Sequence, residues 1–433
     1  MTAFPKYERY KNSGVEWLGE VPEHWEVEKG LRYLFETEDR SVKGDEELLS
    51  VSHLTGVTPR SEKNITMFMA ESYEGSKLCD VGDIAINTMW AWMSALGVSK
   101  YRGLVSPSYG TYRQRKPERF NPTFLDHLIR TDVYRSHYTV NSTGITTSRL
   151  RLYPHSFLRL KFICPPREEQ DRIVAFLDQK TAEIDALIAK KQRQIELLDE
   201  QKAILINRAV TRSLNPNAKL RPSGSKWIGQ IPTHWEIGRL KHHCIKIVDC
   251  PHATPIYDPD GEHPAIRTAD VTPGHIDLNG AKRLSKAEFS RWTERMVPRF
   301  GDILYSREGE RFGIAAPVPP DSDLCISQRM MAFRPSRDVV SQFLMWQLNC
   351  QHVYLQACQD VTGSAAPHVN IGTIANYQLV LPPMVEQKEI AAFISDSDKK
   401  HRIIINKIES QIESLKTLRS TLIAHSVTGR IKV

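Results

Sequence analysis

The chain has 433 residues, of which 40% are hydrophobic, and it carries a formal net charge of +7. This length predicts two to four domains, and the apolar content is sufficient for ordinary cores. The sequence contains no run of about 18 apolar residues such as a membrane helix needs, and MTAFPKYERY lacks the apolar centre of a signal peptide, so we expect a cytoplasmic protein. The seven cysteines include no C-x-x-C pair, which predicts reduced, packed thiols.

The stretch SGVEWLGEVPEHWEV at residues 13–27 returns as SGSKWIGQIPTHWEI at residues 223–237. Burial is the usual role of tryptophan, which accounts for each copy but not for the duplication. The repetition continues with VGDIAIN (81–87) and FGDILYS (300–306), ICPPREEQDRIVAFL (163–177) and VLPPMVEQKEIAAFI (380–394), and QIELLDEQKAILINRAVTR (194–212) and QIESLKTLRSTLIAHSVTG (411–429). The chain is therefore an internal duplication whose repeating unit is about half of the protein.

Residues 1–165 and 213–383 are predicted to be globular units with an α+β fold and a twisted sheet. Short β-rich runs such as IAINTMW and GDILYS alternate with turn residues and with helical patches such as FLDHLIR and FLMWQLN. The sequences of these two units differ far more from each other than the intervening segments do. In a duplicated protein, this contrast indicates a shared frame that carries two different surfaces.

Residues 166–212 and 384–433 are predicted to be long helices, because they contain almost no Gly or Pro before their last residues and place apolar side chains at three-four spacing. Each begins at a Pro-Pro pair, and proline suits a helix start. If a pseudo-twofold axis relates the duplicated halves, the two helices pair as an antiparallel coiled coil. The first helix would span roughly 65 Å and would separate the two globular units.

Positive charge is concentrated in residues 100–161, which carry 12 Lys/Arg against 3 Asp/Glu, whereas residues 1–99 carry 10 against 17. A basic surface attracts nucleic-acid phosphates in a salt-dependent way. A solvated basic face without a partner is the alternative interpretation for each of these arginines.

Motifs for catalysis and for metal binding are weak in this sequence. There is no G-x-x-x-x-G-K-[ST] loop and no glycine fingerprint for a dinucleotide. NPTF at 121–124 faintly resembles the Asn-Pro-Pro-aromatic loop of adenine methyltransferases, but it lacks the second proline and precedes FLDHLIR, which favours a turn into a helix. His242-His243-Cys244 and Cys250-Pro251-His252 offer ligand atoms without the paired spacing of zinc sites. We therefore predict no catalytic residue and no metal site.

The ordered set of motifs resembles the DNA-specificity subunit of type I restriction-modification enzymes. The residues that carry the resemblance are both WxGxxPxHWE stretches, both GDI tripeptides, PPREEQDRIVAFLD and PPMVEQKEIAAFIS, and the helix ends NRAVTR and AHSVTG. The resemblance implies two target-recognition domains, each reading one half-site of a bipartite asymmetric DNA sequence. It also implies that the paired helices set the spacer between the half-sites.

The same resemblance implies partners and cofactors. Double-stranded DNA, two modification (methyltransferase) subunits and ATP-dependent restriction subunits are the expected partners, and this chain is expected to be non-catalytic. S-adenosylmethionine, ATP and Mg are expected on the partner subunits, with no cofactor in this chain. Two other functions remain open from the residues alone: an assembly adaptor that reads no DNA, and a stand-alone DNA methyltransferase or nuclease.

Candidate DNA-binding residues are polar or planar side chains on predicted loops and strand ends, where base edges and phosphates are usually contacted. In the first unit they are Asn87, Trp92, Tyr109, Arg113, Thr147 and Arg149. In the second unit they are His252, Thr254, Arg267, Arg307, Arg311, Gln328 and Arg329. The sequence predicts neither the bases of the half-sites nor the exact length of the spacer.

Overall fold

A computed structural model describes residues 4–63, 72–146, 149–251, 253–360 and 367–433 of the chain. The chain divides into two compact units, the first comprising residues 1–191 with 409–433 and the second comprising residues 192–408. Each unit therefore includes part of both long helices. Within the described ranges, no helix combines the length and the apolar character needed to cross a bilayer.

The first unit mixes short strands with helices, as an α+β fold requires. Its elements are β1 (Tyr10–Asn12), β2 (Glu20–Pro22), β3 (Glu26–Lys29), α1 (Gly30–Tyr33), β4 (Leu34–Glu36), β5 (Leu49–Ser52), β6 (Gly56–Pro59), β7 (Lys77–Cys79), β8 (Ile84–Ile86), β9 (Leu96–Val98), β10 (Gly103–Val105), β11 (Gly110–Gln114), α2 (Pro122–Ile129), α3 (Asp132–Val140), α4 (Pro154–Arg159), β12 (Lys161–Cys164) and the start of α5 (Arg167–Arg212). An antiparallel sheet has the order β4-β11-β8-β9. Its strand β8 is buried along its whole length because it lies in the interior of the sheet.

The second unit repeats this sheet with other side chains. Its elements are β13 (Leu220–Pro222), β14 (Gln230–Pro232), β15 (Glu236–Arg239), β16 (Cys244–Asp249), β17 (His263–Ile266), β18 (Val271–Thr272), β19 (His275–Ile276), β20 (Lys282–Leu284), α6 (Lys286–Trp292), β21 (Ile303–Ser306), β22 (Ala315–Pro317), β23 (Cys325–Ile326), β24 (Met330–Pro335), α7 (Ser341–Leu348), α8 (Gln351–Cys358), α9 (Ile371–Ala375), β25 (Gln378–Leu381) and α10 (Met384–Val427). The equivalent antiparallel sheet has the order β16-β24-β21-β22. The duplication seen in the sequence is thus a duplication of strand order as well.

The repeated His-Trp-Glu and Pro-Pro-x-x-Glu-Gln motifs contact each other in each unit. In the first unit, His24 Nε2 lies 2.8 Å from Glu169 Oε2. In the second, His234 Nε2 lies 2.6 Å from Glu386 Oε1. The histidine lies in the turn between two short strands, β2 and β3 or β14 and β15, and the glutamate belongs to the first turn of the long helix. The two motifs therefore recur because each unit builds the same junction between its globular part and a long helix.

Two further groups complete this junction in each copy. Gln170 Nε2 and Gln387 Nε2 each donate to the carbonyl oxygen of the first proline of the Pro-Pro pair, both at 2.9 Å. Trp25 and Trp235 are fully buried in the cores of their units. The interpretation of these tryptophans as core residues is confirmed.

The predicted long helices are confirmed as α5 and α10, and they run antiparallel within the first unit. Lys191 Nζ donates to Gln411 Oε1 at 2.6 Å, and Arg419 Nε lies 3.0 Å from Asp185 Oδ1. Residues with lower numbers in α5 thus contact residues with higher numbers in α10, as antiparallel helices do. Ile184 of α5 and residues of the last turns of α10 share the core of this unit, so apolar burial accompanies the polar pairs.

The same antiparallel pairing is present within the second unit. Lys202 Nζ lies 2.5 Å from Asp398 Oδ1, and His401 Nε2 lies 3.2 Å from Asp199 Oδ1. Asp398 is only 3% exposed, and it also accepts a 2.8 Å hydrogen bond from Arg402 Nε. A buried carboxylate with two cationic donors is expensive to leave unpaired.

Asp398→Asn is expected to lower the free energy of unfolding of the second unit by about 1.5–3 kcal/mol at pH 7, the range for hydrogen bonds to a charged group. Burial raises the pKa of Asp398, but the hydrogen bonds from Lys202 and Arg402 outweigh it and hold this pKa below its usual value. A carboxylate of this kind contributes stability above its unfolded-state pKa and loses it as the pH falls through the folded-state pKa. The difference between wild type and variant should therefore close below about pH 4.

The measurement is urea unfolding at pH 7 and pH 3, followed by hydrogen exchange of peptides from the second unit. Asp185→Asn is the matched control, since its ion pair with Arg419 also joins α5 to α10 but has side chains that are 54% and 41% exposed. That pair should contribute about 0–1 kcal/mol. Equal effects of the two substitutions, or an effect of Asp398→Asn that does not become smaller between pH 7 and pH 3, would contradict the proposed role of the Asp398 carboxylate.

Candidate nucleic-acid interface

Three chain segments meet at the end of β8 in the first unit. The backbone N–H of Leu152 donates to the carbonyl oxygen of Thr88 at 2.9 Å, and Thr88 Oγ1 donates to the carbonyl oxygen of Ser108 at 3.0 Å. The segment after β8 is thereby held between the segment that precedes β11 and the one that precedes α4. We refer to residues 87–92, 106–109 and 149–152 as the first loop surface.

The second unit brings the equivalent segments together at the end of β21. The backbone N–H of Val369 donates to the carbonyl oxygen of Arg307 at 3.2 Å, and the backbone N–H of Arg307 donates to that of Arg329 at 2.9 Å. These bonds make Arg307 the counterpart of Thr88, and Arg329 the counterpart of Ser108. We refer to residues 306–311, 327–330 and 367–369 as the second loop surface.

The two surfaces collect many of the residues predicted from the sequence. The first contains Asn87, Trp92, Tyr109 and Arg149, and the second contains Arg307, Arg311, Gln328 and Arg329. Thr254 joins the second surface, because Gln328 Nε2 donates to its Oγ1 at 2.8 Å. Thr147 and His252 lie outside the described residues.

The first loop surface is neutral and aromatic near the sheet. Asn87 Nδ2 donates to the Tyr109 hydroxyl at 3.0 Å, and burial raises the pKa of that hydroxyl. Because Asn87 is only 9% exposed, its amide mainly orients Tyr109. Trp92 is half-buried and donates through Nε1 to the carbonyl oxygen of Met89 at 3.1 Å, whereas Arg149 is exposed at the rim of the surface.

Trp90 is a surface residue that sequence reasoning missed. It is 49% exposed and lies two residues before Trp92, in the same loop. A single 3₁₀ turn at Ala91–Met93 buries Ala91 and leaves Trp90 outside. The Trp-Ala-Trp spacing signalled that two indoles share this loop, but only the turn decides which of them faces solvent.

Arg113 lies near the end of β11 and is engaged with carboxylates of its own unit. Its Nε and Nη2 each lie 2.8 Å from the carboxylate of Asp83, and Nη2 lies 2.8 Å from Asp80 Oδ2. Asp83 belongs to the GDI tripeptide and is 1% exposed. The second unit builds the same pair from Arg334 and Asp302. This repetition favours a structural role for Arg113, whose guanidinium links β11 to the turn before β8.

Three arginines predicted in the second unit are likewise engaged with the protein itself. Arg307 is 6% exposed and pairs with Asp249 at 3.4 Å and with Glu308. Arg311 donates to the carbonyl oxygens of residues 269 and 271 at 3.2 and 2.8 Å. Arg267 lies on the Asp270 carboxylate at 2.9 and 2.6 Å, and these hydrogen bonds raise its pKa. These contacts favour a structural role for all three guanidinium groups.

Arg329 differs from the other three arginines. It is exposed, and its backbone has a φ of +68°, a left-handed conformation that costs a residue with a Cβ roughly 1–2 kcal/mol. Its Nη1 would lie 3.5 Å from a Cβ placed on Gly309, so the guanidinium passes over a glycine. Among the described residues, no carboxylate or carbonyl group holds this guanidinium.

The NPTF segment is the start of a helix. Asn121 caps α2 by accepting from the backbone N–H groups of Thr123 and Phe124 at 2.9 and 3.2 Å. Its amide nitrogen donates to Asp171 Oδ1 at 2.7 Å. The preference for a turn into a helix over a methyltransferase loop is confirmed.

Of the cysteine-histidine cluster of the second unit, His252 lies outside the described residues, and two of the described members are engaged otherwise. Burial raises the pKa of the Cys244 thiol to about 12, so this sulfur stays protonated at neutral pH. His243 Nδ1 lies 2.6 Å from Asp338 Oδ2. In the described part of the chain, no group of three or more His, Cys, Asp or Glu side chains is placed to hold a metal ion.

Comparison with known proteins gives a consistent result. The model of the family described as type I restriction modification DNA specificity domain matches residues 259–414. The putative type I restriction enzyme MjaX specificity subunit of Methanocaldococcus jannaschii is 24% identical, with 99% of this chain and 98% of that protein covered. The MjaVIII specificity subunit of the same organism is 25% identical over 64% of this chain. That match spans 63% of the MjaVIII subunit, less than two thirds of its length.

A solved structure supports the fold. A chain from a study of complex assembly and conformational transition of the type I R-M system superposes with a TM-score of 0.65 at 17% identity, covering 94% of this chain and 98% of that chain. At this identity the likeness concerns the fold alone.

Proposed function

Because this chain belongs to the family of type I restriction-modification DNA-specificity proteins, we propose that it recognises a bipartite, asymmetric DNA sequence and performs no catalysis itself. Each unit reads one half-site through its loop surface. The observation that carries this proposal is the repetition of one frame with two different surfaces. The junction motifs, the GDI ion pair and the sheet order recur in both units, whereas the side chains at the equivalent loop positions differ.

The chemistry of the two surfaces supports two unlike half-sites. Ser108 in the first unit corresponds to Arg329 in the second, so an exposed hydroxyl stands at this position in one unit and an exposed guanidinium in the other. Base edges in the major groove are distinguished by their pattern of donors and acceptors. Exposed cations at the rims, such as Arg149, suit phosphate contacts, which position a protein without reading sequence.

The long helices are proposed to set the spacer and to carry the partner subunits. A rigid helical connection sets the distance between two half-sites, in the same way that dimer geometry sets half-site spacing in other DNA-binding proteins. Apolar side chains remain exposed along both helices, namely Leu187, Leu197, Ile204, Phe393, Ile403 and Ile404. Exposed apolar groups of this kind suit docking of protein partners. We infer two modification subunits, which bring S-adenosylmethionine, and restriction subunits, which bring ATP and Mg.

Methylation mapping by long-read sequencing tests the proposal. DNA from cells that express this chain with its modification subunit is expected to show two short defined blocks around a gap of constant length, with one adenine modified on each strand. A continuous motif would contradict the two-unit recognition. Absence of any motif, when the same modification subunit is active with another specificity chain, would favour an adaptor that reads no DNA. Methyl transfer by the purified chain alone would favour an enzyme.

A further inference from the structure

The second loop surface holds Arg329 in a rigid turn. The carbonyl oxygen of Arg329 accepts from the backbone N–H of Arg307 at 2.9 Å, and the next residue, Met330, accepts from the backbone N–H of Cys250 at 3.1 Å. On the other side, the backbone N–H of Ser327 donates to Ile266 at 2.8 Å. Backbone hydrogen bonds therefore hold the chain on both sides of Arg329, the residue with a positive φ. Strained backbone conformations that are held by the surrounding structure in this way cluster at ligand-binding positions.

The neighbouring side-chain donors of this loop surface are engaged within the protein, whereas the Arg329 guanidinium is available as a hydrogen-bond donor. Arg307 and Arg311 are engaged with carboxylates and backbone carbonyls, and Gln328 is held by Thr254. Within the described ranges, the Arg329 guanidinium has no hydrogen-bond or ion-pair partner of its own. In the first unit the equivalent position is Ser108, whose φ is not positive. The exposed guanidinium is thus specific to the second unit.

The surroundings favour a base edge over a phosphate as the acceptor. The guanidinium passes over Gly309, the residue next to Glu308, and Asp249 pairs with Arg307 beside it. The two carboxylates outnumber the single Arg307 guanidinium that pairs with them, which disfavours a fully charged phosphate more than the uncharged edge of a base. An arginine fork donates two parallel hydrogen bonds, which match the O6 and N7 acceptors of guanine in the major groove.

From this geometry, and on the basis of the proposed function, we infer that Arg329 reads a guanine in the half-site of the second unit. The second half-site therefore contains a G·C pair whose identity depends on this one side chain. The first unit, with Ser108 at the equivalent position, reads its half-site without this contact.

The test uses the complete modification complex and DNA duplexes in which single guanines of the mapped motif are replaced by 7-deazaguanine, which lacks the N7 acceptor. With the wild-type chain, one replacement in one half-site is expected to lower the methylation rate roughly tenfold to hundredfold. With Arg329→Gln, that same replacement should have no effect, and mapping should show that this one position has become degenerate. The other half-site should stay unchanged.

Two further variants distinguish the loss of base recognition from an effect on folding and from the loss of a positive charge. Arg329→Gly relieves the positive φ, so it should lose the same discrimination while its thermal midpoint stays equal or rises. Arg337→Gln is the matched charge control, because Arg337 is also exposed and follows the opposite end of β24. It should retain the wild-type motif.

Three results would overturn the inference. The first is that no guanine in either half-site of the wild-type motif is sensitive to 7-deaza replacement. The second is that Arg329→Gln leaves base discrimination unchanged. The third is that Arg329→Gln weakens binding to all sequences equally and makes the salt slope smaller by about one, which marks a phosphate contact. Failure of the proposed function is distinguishable, since the wild-type chain would then direct no bipartite methylation at all.

Discussion

Replacing Asp302 with alanine is expected to lower the free energy of unfolding of the second unit by about 3–5 kcal/mol, the range observed when one partner of a buried ion pair is removed. Asp302 is 2% exposed. It accepts hydrogen bonds from Arg334 Nε and Nη2 at 2.9 and 2.7 Å, and from the backbone N–H of Arg299 at 2.9 Å. The substitution leaves the Arg334 guanidinium without its carboxylate in a largely buried place.

A double-mutant cycle measures this pair directly. Arg334→Met should also be destabilising, because it leaves the Asp302 carboxylate buried and unpaired. Asp302→Ala combined with Arg334→Met should cost clearly less than the sum of the two single substitutions, because neither charge is then left without its partner. Urea unfolding read out by hydrogen exchange in β21 and β24 reports on the second unit. Additive effects of the two single substitutions would show that the pair contributes no coupling.

The first unit offers the matched variant. Asp83→Ala removes the carboxylate that Arg113 contacts at 2.8 Å through two nitrogen atoms. It should destabilise the first unit by less than Asp302→Ala destabilises the second, because Arg113 keeps Asp80 and Asp39 as partners and its side chain is 34% exposed. Loss of DNA binding in an Arg113 variant would then follow from a loss of folded protein. A stable Arg113→Met variant that has lost only base discrimination would restore Arg113 as a reading residue.

Lengthening both long helices together is expected to change the target of the protein while preserving its two half-sites. Four residues added after Ile195 in α5 and four after Asn406 in α10 lie between the pairs observed in the first unit, such as Lys191–Gln411, and those observed in the second, such as Asp199–His401. Four residues add about 6 Å and slightly more than one helical turn. At 3.4 Å per base pair, the mapped gap should grow by about one or two base pairs.

Insertion of two residues at the same places is the control, because it rotates the helix by roughly 200° and should abolish directed methylation. Insertion in α5 alone after Glu200 would separate Asp199 from Lys202 and so disturb their contacts with α10. Insertion in both helices keeps these contacts and changes only the helix length. A four-residue variant that methylates the original sequence would show that the helices do not set the spacer.

Much of the architecture could be predicted from the sequence because it rests on local and periodic signals. The three-four apolar spacing and the Pro-Pro starts located α5 and α10, and the spaced recurrence of motifs revealed the duplication. Comparison of the two copies also distinguished the repeated motifs, which both units share, from the intervening segments, which differ between the units. The roles of the candidate residues were less predictable, since Arg113 and Arg329 are the same residue type near opposite ends of the equivalent strands β11 and β24.

The sequence by itself thus determined that this chain is a duplicated α+β protein with two long helices and two unlike surfaces, because periodicity and repetition are properties of the order of residues. Only the tertiary structure decided which arginines are available to a ligand. Arg113 on β11 meets Asp83, which directly precedes the paired strand β8, and Arg307 after β21 meets Asp249 on β16, on the far side of β24. Arg329, in contrast, lies in a turn before β24 without a carboxylate partner among the described residues. A guanidinium is engaged or available according to the carboxylates and carbonyl oxygens that the fold brings within hydrogen-bonding distance of it. Several of these acceptors, such as Asp83 for Arg113, are distant in the chain.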